Sequence, residues 1–238
     1  RSMTAFARHA TARPFWYLIT PDDPDGAQWR ARVAAALEAR PDWVQYRNKA
    51  ATLSERQKEA EWLCARAAAA GVAVVVINDD WRLAQSLGVG VHLGQGDGSL
   101  TEARQRLGPQ AVIGASCYAS RLRAEAAVAE GASYVAFGAV FPSQTKPGAQ
   151  TAPLSLFAAT RALGVPRVAI GGVTLARVPE LLAAGVDGVA VIADLFAQPS
   201  LSAVAVRAAA WREAFDRWQC DCPSQQIEPK RGAEDGCQ

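Results

Sequence analysis

Methionine, histidine and cysteine are all scarce in this chain, which has one Met, two His and five Cys among 238 residues. An odd number of cysteines excludes a fully paired disulfide framework, so Cys64 and Cys117 are expected to be reduced thiols inside the folded part. The Cys220-x-Cys222 pair has no neighbouring His or second close pair to complete a four-ligand metal site. His9 and His92 stand apart from any nucleophile elbow, which argues against a Ser/His/Asp hydrolase and leaves His92 as structural or substrate-adjacent. Charge of one sign is lacking too. Lys and Arg number 25 against 23 Asp and Glu, so there is no basic excess of the kind a nucleic-acid surface needs. No apolar run reaches membrane-spanning length; the longest, 67–77, stops at Asn78 and Asp79. Nothing ahead of Phe15 resembles a secretory hydrophobic region. The expectation is a soluble cytoplasmic protein with neither nucleic-acid nor membrane partners. Arg1 and Ser2, ahead of Met3, are expected to be an expression remnant.

Half of the residues are hydrophobic and 20% are charged, as in a folded globular chain. Apolar strand-like runs at 15–20, 43–47, 72–77, 90–93, 111–115, 134–137, 167–170 and 188–192 alternate with helical stretches at 27–39, 53–70, 80–87, 100–107, 121–130, 154–163, 175–184 and 201–218. The separations are long enough for crossovers, which favours parallel pairing. Eight such pairs over 15–218 predict a single α/β domain, a TIM (β/α)8 barrel that closes its own sheet edges. An open doubly wound sheet is the alternative. Residues 219–238, rich in polar residues with Pro and Gly, are expected to form a mobile tail.

Polar residues recur where these strands end. Gln45, Arg47 and Lys49 alternate along 45–49 and would share one face if the strand continued, offering an amide and two cations to a phosphorylated ligand. Asn78, Asp79 and Asp80 follow the next strand, and Asp97 follows the one after. Asp79 and Asp97 could together hold Mg²⁺, with Asn78 beside them as a phosphate contact and Asp80 as a helix cap. Ser116 offers a hydroxyl. Ser143, Thr145 and Lys146 form a second polar loop suited to a phosphate, and Gly171-Gly172 stand between a strand and a helix, where backbone N–H groups can meet one. Ile192 and Ala193 would complete such a pocket through shape and backbone. In a barrel all these loops converge on one mouth.

The motifs YLIT (17–20), QYRNK (45–49), NDD (78–80), GVHLGQGD (90–97), FPSQTK (141–146), AIGGV (169–173) and GVDGVAVI (185–192), in this order, resemble the thiamine phosphate synthase family. The resemblance implies a TIM barrel that joins 4-amino-5-hydroxymethyl-2-methylpyrimidine diphosphate to 4-methyl-5-(2-phosphooxyethyl)thiazole. It implies that Gln45, Arg47, Lys49, Asn78, Ser116 and Lys146 surround the pyrimidine diphosphate, with Arg47, Lys49 and Lys146 stabilising the leaving group. Asp79 and Asp97 would be Mg²⁺ ligands, while Ser143, Thr145, Gly171, Gly172, Ile192 and Ala193 would enclose the thiazole phosphate. A homo-oligomer is compatible with it. The chain departs from the family's pattern at Pro21 for a common acidic residue, Asn48 for Glu, Ser143 for Thr, Tyr118 for His and Ala193 for Ser. The competing readings are a thiazole tautomerase-like paralogue, which Tyr118 disfavours, and a non-catalytic phosphate-ligand sensor.

Overall fold

The structure, a computed structural model, describes residues 13–142, 148 and 150–221, without the side chains of 219–221. Eight parallel strands, β1 (Phe15–Ile19), β2 (Trp43–Tyr46), β3 (Val74–Asn78), β4 (Gly90–Leu93), β5 (Ile113–Tyr118), β6 (Tyr134–Gly138), β7 (Arg167–Ile170) and β8 (Gly188–Val191), pair in sequence order. The ring closes where Phe15–Leu18 of β1 pair with Gly188–Val191 of β8. This is the expected (β/α)8 barrel, and closure excludes the open sheet. The helices are α1 (Gly26–Leu37), α2 (Leu53–Ala70), α3 (Trp81–Leu87), α4 (Leu100–Leu107), α5 (Arg121–Ala129), α6 (Ser155–Ala159), α7 (Val178–Ala183), α8 (Ala193–Phe196) and α9 (Leu201–Asp221).

Both faces of the strands are covered, which is why β1 reads as five apolar residues in a row. Trp16 and Leu18 of β1 pack outward under the helices. Phe15, Tyr17 and Ile19 point the other way and join Trp43, Tyr134 and Val168 inside the barrel. Phe15 stacks on Trp43 at 4.0 Å between ring centroids, and Tyr134 meets Trp43 edge-on at 5.2 Å. These rings fit because the facing positions are glycine. A Cβ on Gly114 would lie 2.1 Å from the Tyr134 ring, and one on Gly188 would lie 2.3 Å from Phe15. The interior is thus a packed plug rather than a pore. Helix starts follow local chemistry: Asp25, Thr52, Asp80, Ser99 and Ser120 each cap a helix through a side-chain oxygen.

Of the boundaries that differ from the sequence expectation, four have identifiable reasons. The third strand starts at Val74 rather than 72, because Gly71 ends α2 in a left-handed conformation (φ 76°) and Val72 N–H is taken by Ala67. The fifth runs on to Tyr118 through a register shift against β6. The expected helix over 154–163 is broken at Thr160, whose hydroxyl bonds back to the Leu156 carbonyl at 2.7 Å. The one over 175–184 opens with a 3₁₀ turn, Leu175–Arg177, ahead of α7. The short α8 was not expected at all. Helix α9 lies along α1 and β1, stacking Trp211 on Trp16. Among the described residues, no helix is long and apolar enough to cross a membrane.

Candidate active site at the open end of the barrel

Strand β2 delivers the first group. Gln45 is its last inward-facing residue and is buried, but the strand stops at Tyr46. Arg47 and Lys49 therefore stand on a loop rather than on the continued strand face expected for them, and Asn48 between them is buried. That loop is shaped by the one after β1. Thr20 Oγ1 donates to the Arg47 carbonyl at 2.7 Å and accepts the Arg47 N–H at 2.8 Å. Asp22 accepts the Lys49 N–H at 2.7 Å and pairs with the Arg47 guanidinium at 2.8 Å. Burial opposes the ionised form of Asp22, but these two contacts outweigh it and hold its carboxyl below the usual range. Asn48, where the family often has Glu, donates to the Glu59 carboxylate at 3.0 Å and to the Asp23 carbonyl at 2.8 Å. A second acid here would face Glu59, whose other partner is the Tyr46 hydroxyl at 2.7 Å.

The carboxylates come next. Asn78 ends β3, and Asp79 follows in a left-handed conformation (φ 67°), its N–H bonded to the His92 carbonyl. Asp80 caps α3 through Leu83 N–H at 3.0 Å, as expected. Asp97 folds back over its own loop to accept the Gly94 N–H at 2.8 Å. Its carboxyl reaches that of Asp79. Burial, then the hydrogen bond and charge of Asp97, push the Asp79 carboxyl up to about 6, while Lys49 and Arg47 pull it down. An acid whose proton affinity is raised by burial and by a facing carboxylate marks a place where a cation relieves repulsion. An all-oxygen pair open to water and phosphate oxygens suits Mg²⁺. Among the described residues no group of three or more His, Cys, Asp or Glu surrounds a metal position, so these two acids would need ligand phosphates and water to fill the shell.

Ser116 lies within β5 rather than just after it. Its Oγ is 2.8 Å from His92 Nε2. Burial lowers the His92 pKa to about 4 against the opposing charge of Asp97, so the imidazole is neutral at pH 7. Tyr118, at the position where His is common, is half exposed with φ 55°, and its hydroxyl accepts the Gln95 N–H at 3.3 Å. It braces the loop carrying Asp97. Cys117 is buried, and burial pushes its thiol up to about 12, so it is no nucleophile.

The opposite half of the barrel holds a cavity of about 630 Å³ lined by Gly171, Gly172, Ile192 and Ala193, with Thr174 and Gln198. Both glycines are required by geometry. Gly171 has φ 94° with Ala139 2.5 Å from where its Cβ would sit, and Gly172 has φ 66° with the Phe141 carbonyl at 2.6 Å. Ala193 opens α8 rather than extending β8. Asp194 ties this corner together, accepting from Leu175 N–H, Arg207 and Trp211. Pro142 borders the same cavity. Ser143, Thr145 and Lys146, which follow it, lie outside the described residues.

A sequence signature described as thiamine monophosphate synthase matches residues 16–195, the barrel from β1 into α8. The chain belongs to the thiamine monophosphate synthase family. It is 48% identical over 196 residues to a thiamine-phosphate synthase of Chromobacterium violaceum, spanning 82% of this chain and 94% of that one. A thiamine-phosphate synthase of an Azoarcus species is 52% identical over 183 residues, 76% of this chain and 88% of the other. The structure of a thiamine phosphate pyrophosphorylase from Pyrococcus furiosus superposes with a TM-score of 0.73 at 28% identity, covering 85% and 96% of the two chains. Mycobacterium tuberculosis tryptophan synthase, at 15% identity and a TM-score of 0.67, shares the fold alone.

Within the family frame, sequence reasoning missed Thr20, Asp22, Tyr17 and Tyr134. Thr20 and Tyr17 lie in the YLIT motif without a role having been read from them, and Asp22 was passed over beside Pro21. Tyr17 and Tyr134 carried a usable signal: phenols on inward-facing strand positions need buried partners.

Proposed function

We propose that this protein joins 4-amino-5-hydroxymethyl-2-methylpyrimidine diphosphate to 4-methyl-5-(2-phosphooxyethyl)thiazole, releasing diphosphate and thiamine phosphate. Family membership supports the synthase and transferase activity in general. The observation that carries the finer reading is the meeting of Arg47 and Lys49 with the paired acids Asp79 and Asp97 at one end of the barrel, opposite a glycine-floored cavity.

Arg47 and Lys49 would hold the diphosphate, Arg47 through its planar fork and Lys49 as a point charge. Lys146 would add a third cation from the loop beyond Pro142. Asp79 and Asp97 would hold Mg²⁺, which supplies positive charge to the leaving diphosphate. Gln45 and Ser116 would orient the pyrimidine, and Asn78 would contact its diphosphate. The thiazole phosphate would sit against Gly171, Gly172, Ile192 and Ala193, with Ser143 and Thr145 as further contacts. The bond between the pyrimidine methylene carbon and the diphosphate oxygen breaks, with its electron pair leaving on oxygen. The thiazole nitrogen then donates its lone pair to that carbon. No protein nucleophile takes part, in keeping with the buried, inert Cys117. The chain's contribution is charge stabilisation and orientation in a pocket that excludes water.

Incubation of the purified protein with both precursors and Mg²⁺, followed by product identification, tests this. Thiamine phosphate and diphosphate should form in equal amounts. Conversion of a thiazole carboxylate phosphate without pyrimidine consumption would establish the tautomerase instead, and precursor binding without turnover would establish a sensor.

A further inference from the structure

One unbroken line of side-chain hydrogen bonds crosses the barrel interior. Gln45 Nε2 donates to the Tyr17 hydroxyl at 2.8 Å, and the Tyr17 and Tyr134 hydroxyls are 2.7 Å apart. Tyr134 Oη lies 2.8 Å from His92 Nδ1, and His92 Nε2 lies 2.8 Å from Ser116 Oγ. The line joins β2 to β5 by way of β1, β6 and β4. Its ends are residues that the proposed function places on substrate, while its three inner members have no assigned role.

The three inner groups are buried, with Tyr17 1%, Tyr134 0% and His92 8% exposed, so each of their protons needs a partner inside the protein. A phenol has one proton to give and a neutral imidazole carries one N–H. All the protons along the line must then point the same way, since one reversal leaves a buried hydroxyl proton facing nothing. With the Gln45 amide turned so that Nε2 faces the Tyr17 hydroxyl, that nitrogen can only donate, and this orientation sets the direction. Tyr17 donates to Tyr134, Tyr134 donates to His92 Nδ1, and His92 carries its proton on Nε2 and donates to Ser116 Oγ. Two groups are left over at the ends. Gln45 Oε1 is an acceptor with no partner among the described residues, and the Ser116 hydroxyl proton is a donor with none.

We propose that this line sets the hydrogen-bond polarity of the pyrimidine pocket, with Tyr134 as the positioning residue that holds His92 in its Nε2–H tautomer. The ends then offer one acceptor, Gln45, and one donor, Ser116. This inference rests on the reading of those two residues as pyrimidine contacts. A ring bearing an exocyclic amino group and an unprotonated ring nitrogen presents the matching donor and acceptor. The 4-oxo counterpart presents an oxygen where the amino group was and an N–H on the adjacent ring nitrogen. It would place oxygen against Gln45 Oε1, and a pocket of buried, fixed polarity cannot turn one end without turning the whole line. Discrimination for the 4-amino ring by about 100-fold or more follows.

The chain's two histidines make the test clean, because only His9 and His92 contribute imidazole signals. In full-length protein labelled with ¹⁵N-histidine, free of ligands and metal, the His92 signals at neutral pH should show a protonated Nε2 and an unprotonated Nδ1. Folded Tyr134→Phe should show a mixture of the two tautomers. Its ratio of Kd values for the free 4-amino and 4-oxo pyrimidine alcohols should fall about tenfold toward unity. An Nδ1–H signature in the unmodified protein would overturn the proposal, as would a folded Tyr134→Phe with an unchanged tautomer. If Tyr134→Phe fails to fold, the spectrum of the unmodified protein still decides. No turnover enters that spectrum, so it settles the polarity whether or not thiamine phosphate forms in the separate synthase assay.

Discussion

The closed and open ends of the barrel use the same residue types to opposite purposes. Arg167, at the start of β7, is 5% exposed. Its Nε meets Asp187 at 2.9 Å, one terminal nitrogen meets the Gly185 carbonyl at 3.0 Å, and the other meets the Phe157 carbonyl. Arg104 likewise distributes its donors over Gly108, Ala111, Gly131 and Ser133. Arg47, just past the end of β2, meets the single carboxylate of Asp22 and keeps 27% of its side chain exposed. The acids differ in the same way. Asp187 is matched by a guanidinium, whereas Asp79 and Asp97 face each other. A saturated guanidinium locks chain segments together; one with spare donors can take a phosphate. Local conflict, two facing acids from different loops of which Asp79 has a left-handed backbone, marks the end where ligand is expected to complete the structure.

Removing one arginine from each end breaks this contrast most directly. Arg47→Ala should lower kcat/KM by about 10²–10³-fold through lost charge stabilisation, while thermal unfolding stays near that of the parent protein. Near-parental kcat/KM in the folded variant would refute the role given to Arg47. Arg167→Ala should do the reverse. Leaving Asp187 with only the residue-167 backbone N–H, and the Phe157 and Gly185 carbonyls without their guanidinium donors, should cost about 3 kcal/mol of stability, or roughly 6–12 °C in Tm for a chain of this size. The surviving folded fraction should keep its kcat, and a Tm loss below about 2 °C would show that the closed end is held by something else.

The Asp79–Asp97 pair sharpens the contrast through pH. Because the folded protein raises the Asp79 pKa from 3.8 to about 6, its contribution to stability is fully present below the unfolded value and is lost as pH rises through about 6. Metal-free protein should therefore lose on the order of 1 kcal/mol between pH 4 and pH 7 from this group, after allowance for its partial exposure. Asp79→Asn should flatten that part of the profile. Mg²⁺ affinity, measured calorimetrically, should fall about tenfold per pH unit below pH 6 as protons compete for the same oxygens. A pH-independent affinity from 5 to 7 would exclude Asp79 as a ligand.

The smallest expected effect is that of Tyr118→Phe, which removes the acceptor of the 3.3 Å bond from Gln95 N–H. Weakening the brace on the Asp97 loop should raise the Mg²⁺ Kd about two- to threefold, equivalent to about 0.5 kcal/mol. An unchanged Kd would reduce Tyr118 to surface packing.

Much of the architecture is legible in local pattern. Residues 53–70, 90–93, 100–107 and 167–170 are bounded in the structure as the apolar periodicity and the flanking caps predict. The interior glycines explain themselves only in three dimensions, since Gly114 is glycine because Tyr134, twenty residues on, occupies its side-chain space. The candidate site divides likewise. Its motifs and their order are readable, whereas the support of Arg47 by Thr20 and Asp22, the raised proton affinity of Asp79, and the line through Tyr17 and Tyr134 are not. Strand and helix periods repeat within a few residues and leave their trace in the nearby sequence. The partners that decide a polar group's charge, tautomer and spare hydrogen-bonding capacity come from strands brought together by barrel closure, as when the hydroxyls of Tyr17 and Tyr134 meet across 117 residues of chain.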